Sequence, residues 1–220
     1  MRAAAVIPVK RFGAAKQRLA AELEPGARMR LAGAMLEDVL AAVDATPAVE
    51  RVIVVTGEPA ATRAARAHGT EVIDDPSDRG HSRAARLGVE RALALGADVA
   101  ALVPGDCPLL DSAELDAAVA RLSPPEVAVV PDRHGTGTNA LLLAPPDAIA
   151  PAFGEGSRAR HEGLARTAGV VVRVEPLASL APDVDTADDL ATVAALLRER
   201  PARALRTAAA IRALGVDDRA

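Results

Sequence analysis

The sequence predicts a three-layer α/β fold with a mostly parallel sheet and an antiparallel element in its second half. Three observations carry this. Apolar runs rich in Val and Ile recur along the chain, as in strands buried on both faces. Patterns of helical period separate most of them. After Pro124 that alternation loosens.

The strand candidates are Ala3–Val9, Val52–Thr56, Glu71–Ile73, Val99–Val103, Val127–Val130, Ala140–Leu143 and Val170–Val174. Pro25–Val43 carries Met29, Leu31, Met35, Leu36, Val39, Leu40 and Val43 at helical spacing, with Pro25 suited to a first turn. Ala60–His68 ends at Gly69, and Ser82–Leu95 ends at Gly96, both natural C-terminal stops. Ser82 is expected to cap its helix. Asp111–Leu122 opens on an Asp/Ser cap with Glu114 three residues on. Val127–Val130 and Ala140–Leu143 are joined by a Gly/Thr-rich loop instead of a helix, which predicts the antiparallel element. Thr186–Leu197 opens on Thr186, with Asp188 and Asp189 placed to cap and to meet the helix dipole. Arg198–Ala220 reads as a surface helix with a frayed end, either a dimer interface or a solvated helix. No repeat or long linker divides the chain. Residues 1–197 are expected to form one domain, with 198–220 as a helical extension.

The 220 residues suffice for one α/β domain. Half are hydrophobic but only 1% are aromatic, so Val, Leu, Ile and Ala must fill the core. Phe12 and Phe153 are the only aromatics of the Phe/Tyr/Trp type, which argues against a base-stacking platform for single-stranded nucleic acid. A net charge of −4 argues against broad binding to nucleic acid or an anionic membrane. The lone Cys107 excludes an internal disulfide and fits a reducing compartment. No segment reads as a signal peptide or a membrane span. These features read as a soluble, cytoplasmic protein.

Of 26 basic residues only Lys10 and Lys16 are lysines, and both follow the first strand. A compact ammonium suits a phosphate as a point charge, so these two are candidates for holding a polyphosphate. Neither GxxxxGK[ST] nor GxGxxG is present, so the loop is not a P-loop or a dinucleotide fingerprint. Asp106 follows Val99–Val103 in a turn stiffened by Pro104, Gly105 and Pro108, at the strand end where α/β sheets bind ligands. A carboxylate there suits a hard cation such as Mg²⁺. Asp183 and Asp185 alternate, so in extended backbone both face one side, and they would repel unless a cation lay between them.

Gly135-Thr136-Gly137-Thr138-Asn139 forms either an anion-binding loop or an ordinary hairpin turn. Gly154-Glu155-Gly156-Ser157 precedes a helical stretch. There Ser157 is expected as the cap and the free N–H groups as an anion site, with His161 one turn in. Asp75 is a nucleotide contact or a turn residue. No Ser/His/Asp triad or His-rich metal cluster appears.

Together these segments resemble the CofC/FbiD-type guanylyltransferases of coenzyme F420 biosynthesis, within the MobA-like nucleotidyltransferases. The matching pieces are Pro8-Val9-Lys10 with Ala15-Lys16-Gln17-Arg18-Leu19, Gly105-Asp106-Cys107-Pro108-Leu109-Leu110, Gly135–Leu141, Phe153-Gly154-Glu155-Gly156-Ser157 with His161, and Asp183-Val184-Asp185-Thr186 with Asp189-Leu190. They span about residues 3–197. One departure is Gly80-His81-Ser82-Arg83-Ala84, where the family usually shows a G-L-N-x-A pattern against the nucleotide.

The resemblance implies a Rossmann-like nucleotidyltransferase fold and transfer of GMP from GTP to phosphoenolpyruvate, or alternatively to 2-phospho-L-lactate. A MobA-like enzyme with another acceptor is the further alternative. It implies Mg²⁺ held by Asp106, Asp183 and Asp185. Thr138, Asn139, Gly154, Ser157 and His161 would surround the acceptor, and Pro8, Lys10, Lys16, Asp75 and Ser82 would lie on the nucleotide. Lys10, Lys16 and Asp106 would carry catalysis. The implied partners are GTP, the phospho-acid and the downstream F420 transferase.

Overall fold

A computed structural model of the protein describes residues 1–14 and 16–215. The buried runs become the strands β1 (Ala3–Val9), β2 (Val49–Thr56), β3 (Glu71–Asp74), β4 (Val99–Leu102), β5 (Glu126–Pro131), β6 (Thr138–Ala144) and β7 (Val171–Val174). The helices are α1 (Pro25–Asp44), α2 (Pro59–Ala67), α3 (His81–Ala94), α4 (Ser112–Ala120), α5 (Ser157–Thr167), α6 (Ala187–Glu199) and α7 (Leu205–Ala213).

One seven-stranded sheet has the order β3-β2-β1-β4-β6-β5-β7. The pairings β1–β2, β1–β4, β2–β3 and β5–β7 are parallel. Only β6 runs against its neighbours, β4 and β5. The reversal follows from the short β5–β6 connection. A crossover to a parallel strand needs a dozen residues or more, and a tight loop allows only a hairpin.

Period-two alternation sorts β1 between two core layers. Ala3, Ala5 and Ile7 face α1, α2, α4, α6 and α7, while Ala4 and Val6 face α3 and α5. With almost no aromatic bulk, helix and sheet approach closely. A Cβ on Gly88 of α3 would lie 2.1 Å from Val6 Cγ1. Leu31, Met35, Leu36 and Leu40 of α1 are fully buried, each removing about 1.5–3 kcal/mol of apolar side chain from water.

Several expectations need correction. Gly80 (φ +102), not Ser82, occupies the cap position of α3, because only glycine tolerates that backbone freely. Gly156 (φ +66) likewise caps α5, and Ser157 is its first, buried residue. Asp111 caps α4 through the N–H groups of Ala113 (2.8 Å) and Glu114 (3.3 Å). Glu114 does not fold back on that cap; its carboxylate accepts from Ser179 N–H at 2.9 Å. The expected tail helix is broken. α6 ends at Glu199, and α7 turns back onto α1, where Asp38 accepts from Thr207 N–H at 2.7 Å. Residues 216–220 of that expectation lie outside the described residues. Among the described residues no helix is long and apolar enough to cross a membrane.

Candidate active site

The ends of β1 and β4 with their loops, α1, the start of α3 and the loop before α6 build a cleft of about 250 Å³. Its walls include Pro8, Lys10, Lys16, His81, Asp106 and Asp185. The basic loop after β1 is pinned twice. Phe12 is buried, and its N–H donates to Glu58 Oε2 at 3.0 Å. Glu58 also caps α2 through Ala60 N–H at 3.1 Å, so one carboxylate ties the loop to the end of β2.

Lys16 holds the centre. Its ammonium donates to Asp106 Oδ2 at 2.6 Å and to Asp185 Oδ1 at 3.0 Å, and its side chain is only 4% exposed. Burial alone would lower its pKa, but Asp106 and Asp185 outweigh burial and keep the ammonium firmly charged. Burial likewise opposes charge on Asp106, and Lys16 reverses that, holding the carboxyl below its ordinary value. For Asp183 its backbone hydrogen bond and Lys16 offset less than burial and its neighbours add. Burial, then Asp106 and Asp185, push its pKa up. Lys16 thus joins Asp106 to Asp185 through one ammonium. Lys16 does this from a left-handed backbone (φ +55), an uncommon state for a side-chain-bearing residue that costs about 1 kcal/mol.

That arrangement bears on metal binding. Among the described residues no three His, Cys, Asp or Glu side chains are grouped closely enough to form a ready cage. The donor set still fits a hard divalent ion. The carboxylates are all-oxygen ligands, they repel one another without a cation, and the place between two of them is one that a cation takes.

His81 begins α3 and lines the cleft. Its ring packs edge-on against Phe153 (centroids 4.8 Å), which packs in turn against His161 (5.2 Å). Burial, partly offset by Asp106, brings the His81 pKa down to about 4. Sequence reasoning flagged His81 only as a departure from a pattern.

The residues expected around the acceptor include His161, at the far end of this aromatic row. His161 is fully buried, and its pKa falls to about 4 chiefly through burial. Its Nε2 accepts the Ala152 N–H at 2.9 Å, so the neutral ring carries its proton on Nδ1. Nδ1 then donates to Thr138 Oγ1 at 3.0 Å, leaving the threonine hydroxyl proton to point elsewhere. Asn139 is spent on backbone: its Nδ2 donates to Leu180 O at 2.6 Å and Ala181 O at 3.4 Å, within the segment leading to Asp183. Ser157 N–H donates to Gly154 O at 3.0 Å, so these two form one turn.

The Gly/Thr-rich loop is a hairpin closed by Asp132, which accepts from Thr136 N–H at 3.0 Å. A Cβ on Gly137 would meet Asp132 Oδ2 at 2.6 Å, which accounts for that glycine. Ser82 donates weakly to Phe153 O (3.4 Å) and does not line the cleft. Asp75 is a buried turn residue bound to Ser77 (2.8 Å) and Arg83 (3.3 Å).

The family described as "Guanylyl transferase CofC like" matches residues 3–203. A phosphoenolpyruvate guanylyltransferase of Conexibacter woesei is 46% identical over 205 residues, covering 92% of each chain. One from Sphaerobacter thermophilus is 43% identical over 190 residues, covering 86% of this chain and 91% of its own. Among solved structures, a nucleotidyl transferase from Methanothermobacter superposes with a TM-score of 0.68 at 18% identity, over 91% of this chain and 99% of the other. A 4-diphosphocytidyl-2C-methyl-D-erythritol synthase does so with a TM-score of 0.63 at 16% identity, over 89% and 98%. At such identities the two structures speak for the fold.

Proposed function

The chain belongs to the CofC-like guanylyl transferase family, and from that premise we propose that it transfers GMP from GTP to phosphoenolpyruvate. An oxygen of the acceptor's phosphate forms a bond to the α-phosphorus of GTP. The bond from that phosphorus to the bridging oxygen of the β-phosphate breaks, and pyrophosphate leaves with the electron pair. The product is enolpyruvyl-diphospho-guanosine. The attacking oxygen is already an anion, so no general base is required. This agrees with a cleft whose one histidine, His81, is held largely neutral.

The observation that carries the reading is the pair of lysines beside Asp106 and Asp185 in one cleft. Lys10 is exposed and free to meet the triphosphate. Lys16 balances the aspartates and supplies the point charge nearest the leaving pyrophosphate when its partners take another cation. Asp106, Asp185 and Asp183 would hold Mg²⁺, which when bound neutralises phosphate charge and orients the reacting groups. The Thr138 hydroxyl, with His161 on its oxygen, is set to donate to an anionic acceptor oxygen, and the Gly154–Ser157 turn closes that side. The lone, buried Cys107 accords with work in the cytoplasm. Residues 1–197 serve as the catalytic unit, with α7 as a buttress on α1.

Pyrophosphate release tests this. Each of the four nucleoside triphosphates is mixed with phosphoenolpyruvate, 2-phospho-L-lactate, 3-phosphoglycerate or no acceptor, with and without Mg²⁺. The expected result is Mg²⁺-dependent release with GTP and phosphoenolpyruvate. Release confined to 2-phospho-L-lactate would move the acceptor assignment, and release confined to another nucleotide would overturn the guanylyl assignment.

A further inference from the structure

Asp189 is 2% exposed and serves two loops at once. Its Oδ2 accepts from Asp185 N–H (3.0 Å), Thr186 N–H (2.7 Å) and the Thr186 hydroxyl (2.8 Å). With Thr186 Oγ1 accepting the Asp189 N–H, this makes a complete capping box on α6. A capping box needs only that one oxygen. The other, Oδ1, is also buried, and among the described residues its only partner is the guanidinium of Arg133, from the β5–β6 hairpin. Arg133 Nε leans on its neighbour His134 Nε2 at 3.1 Å, which fixes the direction of the fork. A second tie joins the same segments, where Asn139 donates to Leu180 O and Ala181 O.

The two ties connect different jobs. One end is the loop that carries Asp185 to Lys16 and holds Asp183 nearby. The other end is the hairpin that delivers Thr138 to His161. A buried carboxylate oxygen cannot lose its guanidinium cheaply, so the hairpin and the aspartate loop must move together.

We propose that Arg133 is a positioning residue that couples the acceptor-binding hairpin to the aspartate loop, so that phospho-acid and divalent cation each tighten the other's binding. The proposal rests on the guanylyltransferase reading for the identity of the acceptor. By linkage the effect is reciprocal: whatever factor the acceptor adds to cation affinity, the cation adds to acceptor affinity. The thermodynamic device is one charged pair between two loops.

The test uses the full chain with Mn²⁺ as the probe, titrated by electron paramagnetic resonance with and without phosphoenolpyruvate. In the wild type the acceptor is expected to tighten Mn²⁺ binding by about fivefold or more, the lower end of ordinary coupling. Arg133→Gln is expected to bring that factor below about twofold while Mn²⁺ affinity without acceptor stays within about twofold, and Arg133→Lys to fall between. An unchanged factor in either variant, or no coupling in the wild type, overturns the proposal. If Arg133→Gln does not fold, the Arg–Lys comparison decides alone.

Amide exchange gives a readout independent of any substrate. In Arg133→Gln, the N–H groups of Asp185 and Thr186 are expected to exchange faster together with those of the hairpin. Acceleration confined to the hairpin contradicts the tie. Should the guanylyl reading itself fail, wild-type protein releases no pyrophosphate with GTP and any phospho-acid, whereas the exchange result stands or falls by itself.

Discussion

On the β3-β2-β1-β4 side of the sheet every pairing is parallel, and the site residues stand on loops directly beyond strand ends. Pro8, Lys10 and Asp106 reach the cleft from the ends of β1 and β4. On the β6-β5-β7 side the reversed β6 brings in a hairpin, and the candidate residues there are bound into the scaffold. Asn139 holds backbone carbonyls, His161 holds Ala152 and Thr138, and Asp189 holds its own helix start and Arg133. The parallel half presents Lys10, Lys16 and Asp106 to the cleft, while the mixed half adds Asp185 and otherwise sets shape through buried polar contacts. Substitutions should therefore fail differently: in the first half by losing rate in a folded protein, in the second by losing geometry and stability together.

The largest effect falls on the charged half. Asp106→Ala is expected to lower kcat on the order of 10³-fold, with circular dichroism unchanged, because it removes a carboxylate proposed to hold the Mg²⁺. A near-normal rate would erase the distinction between the halves. Lys16→Met is expected to lower kcat by about 10²-fold, and Lys16→Arg by less. Equal losses in the two would mean that the ammonium's compactness is irrelevant.

A pH titration probes the mixed half. His161 is neutral and fully buried when folded, with a pKa near 4, against about 6.5 when unfolded. Between those values the unfolded chain binds the extra proton, so stability is full above pH 6.5 and declines as pH falls toward 4. The expected loss from this residue is roughly 1–3 kcal/mol across that window. His161→Gln should flatten part of the decline in chemical denaturation and raise the acceptor KM more than the GTP KM. A decline identical to wild type would remove His161 from the account.

The smallest effect lies outside both halves of the site. Asp111→Ala deletes the cap of α4 and a pairing with Arg203, and is expected to cost about 1 kcal/mol of stability with kcat unchanged. A drop in kcat there would show that the α4 end is coupled to the cleft.

The same contrast explains what was legible in the sequence. Buried parallel strands write themselves as Val/Ile runs, so β1, β2 and β4, and with them Lys10 and Asp106, could be placed from sequence alone. The hairpin was legible from its short Gly/Thr loop, but what its residues touch was not. Nothing in the string Pro131-Asp132-Arg133 reveals a pairing with an aspartate more than fifty residues on. Asp189 looked like ordinary capping because its second oxygen meets Arg133 only in three dimensions. Lys16 was expected on phosphate; that Asp106 and Asp185 also hold it was not legible, since local sequence does not show which distant loops share its cleft. The caps at Ser82 and Ser157 were displaced by glycines whose positive φ leads the chain into each helix.

The most direct test of the central claim follows the α-phosphorus. GTP labelled at that position is incubated with the protein, phosphoenolpyruvate and Mg²⁺. Label is expected in a diphosphate-linked product, with one pyrophosphate released per label transferred. Label recovered as free GMP, or retained in GDP, would contradict guanylyl transfer to the phospho-acid.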